Sequence, residues 1–303
     1  MRAQTRRQIA KGSLVFSFAL TLAASGYSQT RAEPIREHKH ETPAGQCELP
    51  FRTYRDYLVV VQGSLGGKLR RNLIIDTGTD PSVIDRRVAQ ELHMAGAAGT
   101  LAVHDRVVDA EQAVLPSVRI GTLRAESLPV LIRDLGFLQK DLGIRIDGVI
   151  GLDVLSLSNF SIDYTTRRIT FGAAPVYGSS APYQSTPPPW LTVTMEVDGV
   201  PIRLLLDTAA SGLILFRSRI RNRLPLISLG ERMSSNLGGE VRLQRVILGT
   251  TKLGETDFGQ KNAFVVEDQE DETREFDGLL GPSALGLKQI AFDFERHTVS
   301  WEQ

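Results

Sequence analysis

A chain of 303 residues, 42% of them hydrophobic, is long enough for two ordinary domains and apolar enough to bury a core in each. Its 35 basic and 35 acidic residues cancel, so no excess of positive charge draws it to nucleic acid or any other polyanion. With a single cysteine, Cys47, no internal disulfide can form and folding has to rest on packing.

The first segment, residues 1–28, joins a basic start (Arg2, Arg6, Arg7, Lys11) to an apolar run from Leu14 to Ala24 and small residues at Ser25, Gly26 and Ser28. That order reads as a signal peptide, so the protein is expected to be exported, periplasmic or secreted, with a membrane contact only if the segment stays uncleaved. The stretch TRRQIAK fits an ordinary basic leader and a twin-arginine export signal alike. Residues 29–48 are polar and Pro-containing and read as a disordered lead-in. Its His38 and His40, with Cys47, complete no metal-ligand spacing.

From residue 49 onward the chain repeats itself. The stretch NLIIDTGTDPSVID returns as RLLLDTAASGLILF, setting Asp76 against Asp207, 131 residues on (207 − 76). RIDGVIGLDVL returns as EFDGLLGPSAL, setting Asp147 against Asp277, and FSIDYTTRRITF returns as IAFDFERHTVSW, setting Asp163 against Asp293; both offsets are 130 (277 − 147 and 293 − 163). Anchors in one order at nearly one spacing mark a duplicated unit. Weaker echoes are YLVVVQGSLGGKLRRN against WLTVTMEVDGVPIRL, and VRIGTL against VILGTT. The longer of these alternate apolar and polar residues and break at Gly, which predicts a β-hairpin leading into each aspartate turn. The clearest helical stretch, PSVIDRRVAQELHM, predicts a short helix after the first turn. A Pro-, Gly- and Ser-rich linker at 176–189 separates an N-terminal lobe, 49–175, from a C-terminal lobe, 190–303, in a mainly β chain.

Each half thus offers an apolar strand running into Asp-Thr and a small residue, and later Asp-Gly, two apolar residues and Gly. These paired motifs resemble those of the pepsin and retropepsin-like aspartic proteases, over essentially everything from residue 50 on, and their compactness is similar to two fused retropepsin-like lobes. The resemblance implies a bilobal acid-protease fold with the site in the cleft between two pseudo-twofold-related β lobes. It implies Asp76 and Asp207 as the catalytic pair, hydrolysing peptide bonds of an extended substrate with an activated water and no metal, cofactor or covalent intermediate. Thr77, Gly78, Thr79 and Thr208, Ala209, Ala210 would form the two active-site loops, with Thr77 and Thr208 bracing them across the axis. Val149, Ile150, Gly151 and Leu279, Leu280, Gly281 would support the loops from behind. Flap hairpins are expected at AAGTLAVHDRVVDAEQ and ERMSSNLGGEVRLQ, with Gly238 and Gly239 at the second tip. A monomer is expected, since one chain supplies both aspartates.

The halves are unequal. Thr79 carries a hydroxyl that can donate to Asp76, whereas Ala210 cannot donate to Asp207. Ala209 stands where the family pattern has Gly, and a left-handed backbone there would strain it. That leaves a second reading, a catalytically weakened or inactive peptide-binding module of the same fold. Rival chemistries lack their residues. The actin and sugar-kinase ATPases share an Asp-x-Gly-Thr turn but need long helices and a second Gly-rich loop. No His-Glu-x-x-His is present, and GPSALG misses the nucleophile elbow at Leu285. The acidic run EDQEDE at 267–272 reads as a solvated loop.

Overall fold

The structure is a computed structural model that describes residues 20–21, 45–103, 106–172, 174–186, 190–236, 239–268 and 275–303. The expected signal peptide, apart from Leu20–Thr21, lies outside the described residues, as do the lead-in up to residue 44, Gly238 and most of the acidic run.

Two β lobes repeat one sheet order. In the first, neighbours across the sheet run Cys47–Tyr54, Leu58–Leu65, Lys68–Ile75, Gly148–Ile150, Val83–Asp85, Leu123–Arg133, Arg106–Ile120 and Ala97–Val103. In the second they run Gln184–Thr186, Trp190–Val197, Val200–Leu206, Gly278–Leu280, Leu213–Phe216, Thr256–Val266, Gly239–Leu253 and Ile227–Asn236. The hairpin turns have the chemistry their glycines promise: Gly66 and Gly67, and Asp198 and Gly199, all take positive φ, the geometry of a tight two-residue turn. Long central strands match in length as well, Arg106–Ile120 and Gly239–Leu253 both having 15 residues and their partners 11. That match corrects one of the weaker echoes. Gly121 corresponds to Gly254, the turn of the second long hairpin, while Gly249 of VILGTT sits at a β-bulge between Leu248 and Thr250.

The lobes are joined by a sheet of their own. Phe160–Asp163 pairs antiparallel with Gln289–Asp293, and Ser161 opposes Ala291. Since 291 is 161 plus the 130-residue repeat, the pseudo-twofold axis passes through that pair. Phe160 stacks on Phe292 with ring centroids 4.6 Å apart, and Phe160, Phe171, Phe292 and Trp301 are all fully buried beside the axis. Cys47–Tyr54 flanks this sheet on one side and Ser179–Pro182 on the other.

Two expected boundaries therefore move. The first lobe starts at Cys47, whose strand pairs with Phe171, so the end of the lead-in belongs to the sheet. The segment expected as a linker carries two strands, Ser179–Pro182 and Gln184–Thr186, which repeat the role of Cys47–Tyr54. Pro182 fits at the end of the first of these because an outer strand leaves one row of amides unpaired. The expected helix shrinks to Arg86–Glu91, because Val83–Asp85 is taken into the sheet and the Asp85 carboxylate caps the helix by accepting from the Arg87 amide.

Two further aspartates of the repeat act as clamps. The Asp147 carboxylate accepts from the Asn72 amide at 2.8 Å and from Arg87, and Asp277 accepts from the Arg203 amide at 2.9 Å and from Arg223. Each locks the strand that runs into an aspartate loop to the strand behind it. Asp163 and Asp293 each accept from amides two and three residues on, closing the last hairpin of each lobe.

Candidate active site

Each aspartate loop starts where a parallel ladder ends. Leu73, Ile74 and Ile75 pair with Gly148, Val149 and Ile150, and the Asp76 amide donates to the Ile150 carbonyl at 3.0 Å. Leu204, Leu205 and Leu206 pair with Gly278, Leu279 and Leu280, and the Asp207 amide donates to the Leu280 carbonyl, also at 3.0 Å. The ladder holds each aspartate backbone up to the last residue before the turn. The loops then close on themselves: the Gly78 amide donates to Asp76 Oδ1 and the Ala209 amide to Asp207 Oδ1, both at 2.8 Å.

Gly151 and Gly281 allow the support to come this close. A Cβ on Gly151 would stand 2.1 Å from the Thr79 carbonyl oxygen, and one on Gly281 would stand 2.1 Å from that of Ala210. No side chain fits there without moving an aspartate loop.

Across the axis the threonines interlock. The Thr77 amide donates to Thr208 Oγ1 at 3.1 Å, and the Thr208 amide returns the bond to Thr77 Oγ1 at 3.2 Å. Each hydroxyl donates onward into the opposite lobe, Thr77 to the Leu206 carbonyl at 2.8 Å and Thr208 to the Ile75 carbonyl at 2.9 Å. Both threonines are buried, so breaking one bond would leave a polar group without water, which costs about 1–3 kcal/mol.

This lattice brings Asp76 and Asp207 into hydrogen-bond contact, with neither side chain exposed. Burial first, then the Asp207 charge, holds the Asp76 carboxyl well above the ordinary carboxylate value. The Thr79 hydroxyl, donating to Asp76 Oδ2 at 2.6 Å, and the Gly78 amide pull it down. One proton shared by the pair meets both demands, so the titration belongs to the pair.

A family profile described as Aspartyl protease matches the chain twice, over residues 61–154 and 193–284. The chain belongs to that family. No curated protein matches it. The two matches to the aspartyl protease profile take in both aspartate loops and both supporting segments. They fit two fused retropepsin-like lobes.

Within this aspartyl protease framework the expected strain at Ala209 is absent. Neither Gly78 nor Ala209 has a positive φ. Gly78 is needed for a different reason: a Cβ there would lie 2.6 Å from the Asp207 Cγ. Ala209 is itself fully buried and joins an apolar cluster with Tyr57, Leu58 and Ile74 of the first lobe. Both expected flaps exist as hairpins, Ala97–Val103 with Arg106–Ile120 and Ile227–Asn236 with Gly239–Leu253. Among the described residues no group of three or more His, Cys, Asp or Glu side chains is placed to hold a metal.

A second acid pair, unnoticed in the sequence, lies beside the first loop. Asp80 directly follows Thr79; burial and the Asp153 charge push it up to about 7, and burial pushes Asp153 up to about 6. Asp153 accepts from the Ser82 amide at 2.8 Å and hydroxyl at 2.6 Å, and Ser82 Oγ accepts from the Gly151 amide at 2.9 Å. The corresponding positions in the second half are Ser211 and Ser283, so only the first lobe carries these charges. The signal was available as a mismatch between the copies.

Two outcomes are expected. Ala209→Gly restores the family residue but removes a buried methyl and adds unfolded-state freedom, so it lowers stability by about 0.5–1 kcal/mol in thermal melts; a rise would mean the alanine is strained after all. For Asp80 the folded state binds a proton that the unfolded state has released, so stability falls as pH rises from about 4 to about 7. Asp80→Ser should remove on the order of 2 kcal/mol of the fall seen between pH 5 and 7.5 in urea titrations, set against wild type to cancel the catalytic pair. Equal slopes would refute the charged pair.

Proposed function

We propose that this protein is an aspartic endopeptidase that cleaves peptide bonds in extended peptide or protein substrates. The carrying observation is the buried contact between Asp76 and Asp207, held from both lobes by the threonine lattice. A pair that keeps one proton offers a base and an acid side by side. The ionised carboxyl takes a proton from a water, which attacks the peptide carbonyl carbon, while the protonated carboxyl donates to the carbonyl oxygen. The resulting tetrahedral diol returns a proton to the leaving amine as the C–N bond breaks, and the pair ends with one proton again.

Because neither carboxyl is exposed, substrate has to enter by parting the flap hairpins. The strands of those hairpins suit an extended peptide, which can add backbone hydrogen bonds to them. The protein acts as a monomer, and its leader segment sends it out of the cytoplasm. The reading as an inactive peptide-binding module rested on strain at Ala209, and the backbone there has none.

Purified protein assayed on a mixed peptide library from pH 3 to 8 tests the proposal. Asp76→Asn and Asp207→Asn should each lower cleavage by about a hundredfold to ten-thousandfold while the fold is retained by circular dichroism. Peptide binding with no cleavage at any pH would overturn it. Thr79→Ala removes a donor that favours the ionised form of Asp76, so the acid limb of the kcat/KM profile moves upward, by roughly half a unit or more. An unmoved limb would show that the hydroxyl does not tune the pair.

A further inference from the structure

One cation in the second flap has an unused donor. From Glu231 to Ser234 the side chains alternate: Glu231 and Met233 are exposed, whereas Arg232 is partly covered and Ser234 is buried. Glu231 meets Arg242 on the outer face at 3.6 Å, leaving Arg232 to the inner one. There the guanidinium lies over the Phe264 ring, 5.3 Å from its centroid. Phe264 flanks the second catalytic loop, since a Cβ added at Gly212, five residues past Asp207 (212 − 207), would lie 3.7 Å from that ring. From the opposite lobe the Tyr57 hydroxyl is near enough to act electrostatically on the same guanidinium. Arg232 therefore lies between the second flap hairpin and the loop that follows Asp207, within electrostatic reach of the first lobe.

Among the described residues no anion is placed to meet this guanidinium. Arg232 Nη2 is buried and has no hydrogen-bond partner among the described residues. The described ionisable groups acting on it are Arg245, which repels it, and the Tyr57 hydroxyl; no described carboxylate is among them. A buried N–H of a guanidinium left unpaired costs more than a neutral one, and a carboxylate is the group whose geometry matches the fork. Arg245 on the neighbouring strand strengthens the positive field, since Arg245 pairs with both Gly230 and Phe264 in the sheet. Packing over the Phe264 ring restricts the guanidinium and limits the ordering left to be done on binding.

We infer that Arg232 is a specificity-determining residue that receives a substrate carboxylate, an acidic side chain close to the scissile bond or a free C terminus. The inference rests on the peptide-cleft reading above but not on catalysis. A purely structural arginine, stacked on Phe264 for packing alone, would give no discrimination between an acid and its amide.

The test uses peptides in pairs, cut by the full-length protein. End-blocked peptides cleaved in the library are remade with Glu or Gln at each of the four positions on either side of the bond, and a further pair compares a free with an amidated C terminus. Wild type should favour Glu over Gln by about tenfold in kcat/KM at one position, or the free over the amidated terminus by as much, and the pair that responds identifies the source of the carboxylate. The ratio should fall to about 1 in Arg232→Met, drop below 1 in Arg232→Glu and be partly kept in Arg232→Lys. Because each ratio is taken within one variant, a general loss of activity cancels. If wild type cleaves nothing, the protease reading fails separately, and the same pairs are measured for binding by fluorescence anisotropy, with the same ratios expected in Kd. A wild-type ratio below twofold at every position, absence of binding, or a ratio unchanged in Arg232→Met overturns the inference.

Discussion

Two carboxyl groups in contact and out of water are costly, and nearly every feature near the axis serves to keep them there. Each would neutralise or move away if its loop could relax. The ladders behind Asp76 and Asp207 prevent movement along the strand, Gly151 and Gly281 let the ladders press against the loops, and the threonine lattice prevents movement across the axis. Repulsion that cannot be relieved by motion is relieved by a proton instead. The shared proton follows from rigidity.

That rigidity is built in layers of decreasing chemical specialisation. The carboxyls are held by amides and hydroxyls, the loops by backbone ladders, the ladders by the Asp147 and Asp277 clamps, and the lobes by an apolar interface centred on Phe160 and Phe292. The layers next to the axis are nearly the same in both halves. Differences accumulate one step away, at Thr79 against Ala210, Asp80 against Ser211 and Asp153 against Ser283. Of these, Thr79 acts on the pair directly, through its hydroxyl on Asp76 Oδ2.

Most of the architecture was legible because duplication lets each half interpret the other. An isolated Asp-Thr-Gly is a turn signal, whereas two Asp-Thr turns with matching Asp-Gly partners point to a shared site; in the structure the two partner segments run in parallel ladders beside the aspartate strands, and Thr77 and Thr208 bond into the opposite lobes. What stayed hidden depends on contacts between distant residues. The constraint on Gly78 comes from Asp207, 129 residues away (207 − 78), so a local argument from backbone dihedrals gave Ala209 a strain it does not have. The strands within 176–189 were masked by proline and serine, which an outer strand tolerates. Asp80 and Asp153 look like ordinary surface residues until the fold partly buries both and brings the Asp153 charge to bear on Asp80.

The interface sheet, whose axis passes between Ser161 and Ala291, also bears on how such a site can vary. In an assembly of two identical subunits every substitution arrives twice, once on each side of the dyad. An alanine entering the Gly78 position would collide with the facing carboxyl, while at Ala209 the same methyl is packed away without backbone strain. Covalent fusion of the halves frees the protein from that doubling. Each side of the aspartate pair can be revised singly, so the two acids are inherited as separate traits although they share one titration.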